Sequence, residues 1–315
     1  MIQVLLATFN GERFLREQID SILCQTYPAV QVLASDDGSR DATPEILREY
    51  ATRFPETVQL LHGTPTGSAK SNFRRLMQAS TAPYIAFADQ DDVWLPQKLA
   101  TELQAVHGLE QHHGASMPLL VFSDLEVVTA ELRPMASSLW QRQQLQPANI
   151  HRFPRLLMQN VVTGCTMLAN RSLLELAQDI PEEAAMHDWW IALVACAFGH
   201  AEYLEDKLVR YRQHSTNVLG AQTPVELRKL PRLRDHTNRR AQWEQIIVQA
   251  RSFQRTYNTI LPADAAATLL DLERVETSTS PFDRVWTMLR RGFLLTPLRA
   301  TLALVWYLWD RQASF

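Results

Sequence analysis

The sequence predicts an α/β protein: a mainly parallel, Rossmann-like sheet flanked by helices, followed by a helical region at the carboxyl end. Three observations carry this. Apolar runs at Ile2–Ala7, Val30–Ala34, Val58–Leu61 and Tyr84–Ala88 alternate with amphipathic stretches, the β-α order that gives parallel strands. Three of the runs end in polar or acidic residues, at Thr8 to Glu12, Asp36 to Asp37 and Asp89 to Asp92, so their carboxyl ends are expected to line one cleft. From Thr223 onward the composition turns basic and helix-like, with Arg228, Lys229, Arg232, Arg234, Arg239, Arg240, Arg251 and Arg255 ahead of Arg284, Arg290 and Arg291. The expected division is a sheet domain over 1–220 and a helical region over 221–315.

The 315 residues suffice for a full core, and 46% hydrophobic with 21% charged residues is a globular composition. A formal charge of -3 lacks the basic footprint of nucleic-acid binding, so no nucleic-acid partner is expected. Cys24, Cys165 and Cys196 are scattered without metal-ligand spacing and suit a reducing compartment as small buried residues. The first strand-like run begins at Ile2, leaving no room for a leader, and a cytoplasmic location is expected.

In order, the first strand leads through Thr8-Phe9-Asn10-Gly11-Glu12 into a helix with Leu15, Ile19, Ile22 and Leu23 on one face. The loop lacks Gly-x-Gly-x-x-Gly, which argues against a dinucleotide site. After the second strand comes Ser35-Asp36-Asp37-Gly38-Ser39-Arg40-Asp41, and Thr43-Pro44 opens a helix as N-cap and first-turn proline. A carboxylate at this strand end can accept a hydrogen bond from a pyrimidine N–H or a ribose hydroxyl, and can equally be a turn former around Gly38. Ser71 to Gln78 reads as a helix, and Pro96 starts another with Leu99, Leu103 and Val106.

The fourth strand stops in Asp89-Gln90-Asp91-Asp92. Alternation along a strand points Asp89 and Asp91 the same way and Asp92 elsewhere. Converging carboxylates repel and lose solvation unless a divalent cation sits between them, and oxygen ligands select hard ions such as Mg²⁺ or Mn²⁺, which can also hold a diphosphate. For an isolated Asp-x-Asp, a strand end where Asp89 caps a turn and Asp92 faces water is the better reading; the neighbouring acidic strand ends favour the metal.

Taken in order, Ala7-Thr8-Phe9-Asn10-Gly11-Glu12, Ser35-Asp36-Asp37-Gly38-Ser39 and Asp89-Gln90-Asp91 resemble the nucleotide-sugar motifs of glycosyltransferase family 2, of the GT-A fold. The resemblance covers roughly the first two-thirds of the chain. Within the family, Phe87-Ala88-Asp89-Gln90-Asp91-Asp92-Val93-Trp94 is most similar to rhamnosyltransferases of bacterial surface polysaccharides. The resemblance implies that Thr8, Asn10, Glu12 and Asp37 line the base and ribose pocket, with Ala7 and Gln90 among the nucleotide-sugar-binding residues. It makes Asp89 a contact to ribose or metal-bound phosphate and Asp91 the main metal ligand, and leaves Asp92 to the following turn.

Leu119 to Val128 is a longer strand, and the glutamine-rich stretch from Leu132 to Ile150, with weak periodicity, is expected as a mobile loop over the acceptor side. Gln159 to Met167 resembles the family's strand after the metal site, where Gly164 would let backbone approach the sugar; a core strand with a bulge fits as well. Met186-His187-Asp188-Trp189-Trp190 opens a helix. The family places its general base here, commonly as Glu-Asp, which assigns the base to Asp188 and departs from the pattern at His187. A helix cap is the bland alternative for Asp188. Trp189 and Trp190 are expected to stack on sugar faces or to pack in the core. Tyr203-Leu204 and Leu208 to Tyr211 read as a hairpin, followed by the polar run Arg212 to Asn217. By resemblance His214 completes the metal site; Arg210 or Arg212 is expected to assist the charge of the departing diphosphate, and Arg212 is also a candidate acceptor or sugar contact. The stretch from Phe293 to Trp309 is apolar but interrupted by Pro297 and Arg299, too short to span a bilayer at ~20 residues, so it is expected to lie on a membrane surface, or to be buried in a dimer or against the catalytic domain.

The expected function is that of an inverting, metal-dependent glycosyltransferase moving L-rhamnose from dTDP-L-rhamnose to a growing lipid-linked surface glycan such as O-antigen. It would work in the cytoplasm, at the inner face of the cell membrane. The alternatives are a UDP- or GDP-hexose donor and a non-catalytic glycan-binding subunit. A nucleotidyltransferase would need a triphosphate-cradling glycine-basic loop, which the first strand end does not carry.

Overall fold

A computed structural model gives the fold and describes residues 1–214 and 236–310. The expected boundary at 220/221, the run Ser215 to Asn217, and Arg228, Lys229, Arg232 and Arg234 lie outside the described residues. The sheet contains β1 (Ile2–Thr8), β2 (Val30–Asp36), β3 (Val58–Leu60), β4 (Tyr84–Ala88), β5 (Val93–Trp94), β6 (Leu119–Thr129), β7 (Pro134–Ala136), β8 (Met167–Asn170) and β9 (His200–Gln213), in the order β3-β2-β1-β4-β8-β6-β9-β5 with β7 beside β6. The first four strands pair in parallel, as does β6 with β9. β8 runs antiparallel to both β4 and β6 and joins the two parallel sets.

The helices connecting the first half are α1 (Leu15–Leu23), α2 (Thr43–Arg53), α3 (Ala69–Ala79) and α4 (Lys98–His113). They cover both faces, which explains why the strands are continuously apolar rather than alternating. Leu5, Leu33 and Phe87 enter one core, while Val4, Leu6, Val32, Ala34 and Ala86 enter the other. Both sides being sealed, β1, β2 and β4 can meet solvent only at their ends.

Two expectations change. The stretch from Leu132 to Ile150 is not an irregular loop but β7, α5 (Leu139–Gln143) and a 3-10 turn at Pro147–His151. Buried Asp124 orders it, its Oδ1 accepting from the backbone of Leu139 and Trp140 at 3.1 and 3.3 Å, and Leu139, Trp140 and Ile150 are buried. Nor do Tyr203-Leu204 and Leu208 to Tyr211 form a hairpin. They are one strand, β9, paired with β6 from Leu119↔His200 to Thr129↔Gln213. The pairing steps from Ser123↔Leu204 to Asp124↔Lys207, so exposed Glu205 and Asp206 are a bulge whose polarity imitates a turn.

The second half adds α6 (Phe153–Met158), α7 (Arg171–Ala177) and α8 (His187–Phe198), then α9 (His236–Tyr257), α10 (Ala263–Thr277), α11 (Pro281–Arg291) and α12 (Leu298–Asp310). Trp190, fully buried, stands 5.3 Å from Phe253 and 5.8 Å from Tyr257 of α9, centroid to centroid. It is core, not a sugar platform. The carboxyl-terminal helices thus share the core that covers α8.

Candidate active site

The loops after β1 and β2 are joined by reciprocal hydrogen bonds. Thr8 Oγ1 donates to Asp36 Oδ1 at 3.0 Å, Asn10 N donates to Ser39 Oγ at 2.8 Å, and Gly11 N donates to Thr43 Oγ1 at 2.8 Å. Asn10, left-handed at φ 50°, returns its Oδ1 to Arg40 N at 2.9 Å. Glu12 donates its N–H to Asp41 at 3.0 Å and accepts from Ala42 N at 2.8 Å. Thr43 therefore does not cap α2, which begins at Thr43 itself.

Asp36 is saturated, because it also accepts from Gly38 N, Ser39 N and Ser39 Oγ. Asp37 differs. Its Oδ1 takes both the N–H and the hydroxyl of Thr66, while Oδ2 takes no hydrogen bond among the described residues. Of the two acids, Asp37 retains an acceptor for a ligand at the cleft. Ala7 is buried in β1. Gln90 reaches across from β4, accepting from Phe9 N at 2.7 Å and donating to Phe9 O at 2.9 Å. A side chain at Gly11 would meet Gln90 Oε1 at 2.3 Å, which explains the glycine.

Strand alternation does not carry through the acids after β4, because the strand ends at Ala88, and Asp92 lies with Asp89 rather than pointing elsewhere. Carboxylate oxygens of Asp89 and Asp92 lie with Cys165 Sγ, all within 4.8 Å of one another, while Asp91 Oδ2 sits 2.8 Å from His214 Nε2. Asp92, fully buried, accepts from Arg212 N at 3.1 Å through Oδ1, and among the described residues its Oδ2 has no nitrogen or oxygen partner. Burial, then the charges of Asp91 and Asp188, raise Asp89 to about 7; burial, then Asp91 and Asp89, push Asp92 well above the usual carboxylate range. Such a cluster fits a cation: carboxylate oxygens suit Mg²⁺ or Mn²⁺, an imidazole is acceptable to Mn²⁺, and a buried carboxylate oxygen without a nitrogen or oxygen donor invites one. Cys165 beside this centre was not singled out from sequence; burial pushes its thiol well above its ordinary value, so it stands there as a neutral group.

Asp188 lies in the first turn of α8, whose N-cap position is Met186. Its Oδ1 accepts from Trp189 N at 2.6 Å and its Oδ2 from Gly164 N at 3.2 Å. Burial raises it to about 6 against the lowering effect of hydrogen bonds from Trp189, Gly164 and Asn160. Gly164 is not in a strand but begins a 3-10 turn, Gly164–Thr166, and a Cβ there would stand 2.8 Å from His187 Nε2. Buried His187 stacks on Phe73 at 3.9 Å, and burial lowers it to about 3, so its imidazole is neutral and acts as a spacer against Gly164. Trp189 is half-buried with Nε1 donating to Leu156 O at 2.7 Å. The Arg212 guanidinium pairs with Glu17 and lies 4.7 Å over the Phe14 ring, and Arg210 is 3.7 Å from Glu126.

Such strand ends, with an acidic cluster on one side and a raised carboxyl on the other, define an α/β protein built to bind a ligand at the carboxyl edge of its sheet. Residues 3–166 match Glycosyl transferase family 2, more than half of the chain, which belongs to that family. The dTDP-rhamnosyl transferase RfbG of Shigella flexneri is 26% identical over 228 residues, 69% of this chain and 74% of that protein. An uncharacterized protein of Mycobacterium tuberculosis, Rv1520, is 26% identical over 223 residues, 69% of this chain but 60% of its own length. Among solved structures, Staphylococcus aureus TarS 1-349 superposes with a TM-score of 0.55 at 18% identity, covering 98% of this chain and 88% of that one. The mannosyltransferase PcManGT from Pyrobaculum calidifontis, in complex with GDP-Man and Mn²⁺, gives 0.53 at 16%, covering 98% and 84%. The fold is that of the GT-A glycosyltransferases.

The close fit of Gly164 against His187 predicts a compensating pair. Gly164→Ala alone should destabilise by about 1–3 kcal/mol, the usual cost of overpacking. Adding His187→Ala should recover part of that loss, whereas additive losses in urea unfolding would show that the two residues do not compete for one space.

Proposed function

We propose that this chain is an inverting glycosyltransferase that moves a sugar from a nucleotide donor to a glycan hydroxyl, with residues 1–220 as the catalytic domain and 221–315 as a helical region for acceptor, membrane or dimer contacts. The observation that carries the reading is Asp188: a carboxyl raised to about 6, placed by Gly164 and Trp189, and close enough to Asp89 to raise it too. Asp37, with Thr8, Asn10 and Glu12 fixing the loop around it, binds the base and ribose, and Asp89 faces the ribose or phosphate. Asp188 takes the proton from the acceptor hydroxyl as that oxygen attacks the anomeric carbon, and the nucleoside diphosphate leaves from the opposite face. Mg²⁺ or Mn²⁺ held by Asp91 and His214 would, when bound, offset the charge on the diphosphate. Gly164 and Trp189 lie next to the base and are assigned to the sugar and acceptor.

L-rhamnose from dTDP-L-rhamnose is the favoured donor, supported by the motif from Phe87 to Trp94 and by the similarity to RfbG. A UDP- or GDP-hexose is the alternative, supported by fold neighbours bound to UDP-GlcNAc or GDP-Man. The acceptor is assigned to a lipid-linked surface glycan at the inner face of the cell membrane. Among the described residues no helix is long and apolar enough to cross a membrane. Phe282, Trp286 and Leu289 on α11, and Leu298, Leu302 and Trp309 on α12, are exposed large apolar side chains with Arg290 and Arg299 beside them. That composition suits an anionic lipid interface. Replacing Phe282, Trp286 and Leu302 together by Ser should abolish liposome flotation at low salt, whereas unchanged flotation, or a switch from dimer to monomer without flotation in either form, would remove the membrane reading.

Donor and metal are tested together. In the presence of Mn²⁺, dTDP-L-rhamnose should stabilise the protein by roughly 2.7 kcal/mol at a hundred times its dissociation constant. EDTA or Asp91→Asn should erase most of that thermal shift, and His214→Ala should reduce it. A shift with a UDP-hexose and none with dTDP-L-rhamnose would reassign the donor, and a shift untouched by EDTA would remove the metal.

For the base, Asp188→Asn should lower turnover by about 10²- to 10⁴-fold with little change in donor affinity. A base works deprotonated, so a carboxyl raised to about 6 places the acid limb of kcat near pH 6 rather than near the ordinary carboxylate value of about 4, with rate lost as pH falls. Retained turnover in Asp188→Asn, or a flat profile from pH 5 to 8, would exclude it.

A further inference from the structure

The stretch from Ile180 to Ala185 leads directly into α8 and so into Asp188, yet it has little structure of its own. Among the described residues its one backbone-to-backbone bond is Ala184 N to Pro181 O at 3.1 Å. Side chains from two helices remote in sequence hold five of its other backbone groups. From α3, Lys70 Nζ donates to Glu182 O at 2.5 Å and to Ala184 O at 2.8 Å, and Arg74 Nη1 donates to Ile180 O at 3.0 Å. From α9, Gln249 Oε1 accepts from Ala185 N at 2.8 Å, and Gln245 Nε2 donates to Glu183 O at 3.0 Å. Gln249 is 1% exposed, and Lys70 is half-buried with its ammonium lowered by burial, its bond to Ala184 O part-buried and its bond to Glu182 O at the exposed side of the segment. Backbone groups out of water must be paired, and here the pairing fixes the path of the chain.

We infer that Lys70 and Gln249 are positioning residues of the catalytic centre: they hold the 180–185 segment from two separate helices and thereby set the angle at which α8 presents Asp188. The inference rests on Asp188 being the base, and it gives the carboxyl-terminal helices a part in the chemistry that no substrate contact requires. Lys70 also lies in the first turn of α3, directly after Thr66 and Ser68, and Thr66 holds Asp37 at the donor end. The first turn of α3 and the segment leading into it therefore reach both ends of the cleft.

The test uses the full chain. Lys70→Met and Gln249→Leu remove the polar atoms at similar bulk, Lys70→Arg and Gln249→Glu keep a donor and an acceptor, and Asp188→Asn runs beside them. A misplacement of about 1 Å costs on the order of 100-fold in rate, so Lys70→Met and Gln249→Leu should lose about 10- to 100-fold in kcat. Amide exchange over residues 180–188 should quicken, the acid limb of the pH profile should move, and the dTDP dissociation constant should stay within about twofold. Lys70→Arg and Gln249→Glu should regain most of the rate. Should Gln249→Leu fail to fold, Lys70→Met against Lys70→Arg decides alone. Wild-type kcat in folded Lys70→Met while Asp188→Asn is inactive would overturn the positioning role and leave the base standing. Turnover retained in Asp188→Asn would overturn the base and the positioning role together.

Discussion

Three carboxylates, Asp89, Asp91 and Asp92, follow one another where β4 ends, and two of them share a pocket with a buried thiol. Removing such charges from water costs several kcal/mol per ion even after relaxation, unless partners are supplied. The neighbouring loops show how the chain treats acids when the purpose is local: Asp36, Asp41 and Glu12 are hydrogen-bonded to backbone N–H groups and close the turn. The acids after β4 receive almost none of this. Asp92 has the backbone of Arg212, Asp91 has His214, and among the described residues Asp92 Oδ2 has no nitrogen or oxygen partner. The energetic imbalance is thus concentrated at one point of the sheet edge.

Holding that imbalance requires a rigid surround. β1 and β4 are neighbours, and the amide of Gln90 is hydrogen-bonded both ways to Phe9, so the two loops cannot separate without breaking two bonds. Beneath them the fully buried Lys98–Glu102 pair is 2.7 Å long, with the ammonium 4.1 Å over Trp94, and burial still raises Glu102 to about 7. Repulsion among Asp89, Asp91 and Asp92 alone would disperse those acids. The two apolar cores on either face of the sheet keep them together.

How much of this could be read in advance follows from which forces are local. The strands β1, β2 and β4 were legible because a parallel strand covered on both faces is a continuous apolar run. β9 was not, because Glu205 and Asp206 are extruded from a ladder that pairing with β6, far away in sequence, holds together. Asp92, expected to point elsewhere, instead lies with Asp89 for a geometric reason: alternation is a property of strands, and β4 has ended before Asp89. Lys98 and Glu102 have the i,i+4 spacing of a surface ion pair, and only tertiary packing reveals that they are fully buried. Gly164 and His187 show the same limit, since the glycine is explained by an imidazole from another element.

The two tryptophans of α8 separate the two jobs of that helix. Trp190 turns into the core and meets Phe253 and Tyr257, so any displacement of α9 is felt by the helix that carries Asp188. Trp189 faces the other way in function: half-buried, with its indole N–H tied to Leu156, it borders the carboxylate to which its own backbone N–H donates. A helix held at its buried side and hydrogen-bonded at its first turn has little freedom to reorient. The raised affinity of Asp188 for a proton comes from burial, and burial here comes from that packing, so under the proposed mechanism the basicity of the group and its aim have the same physical origin.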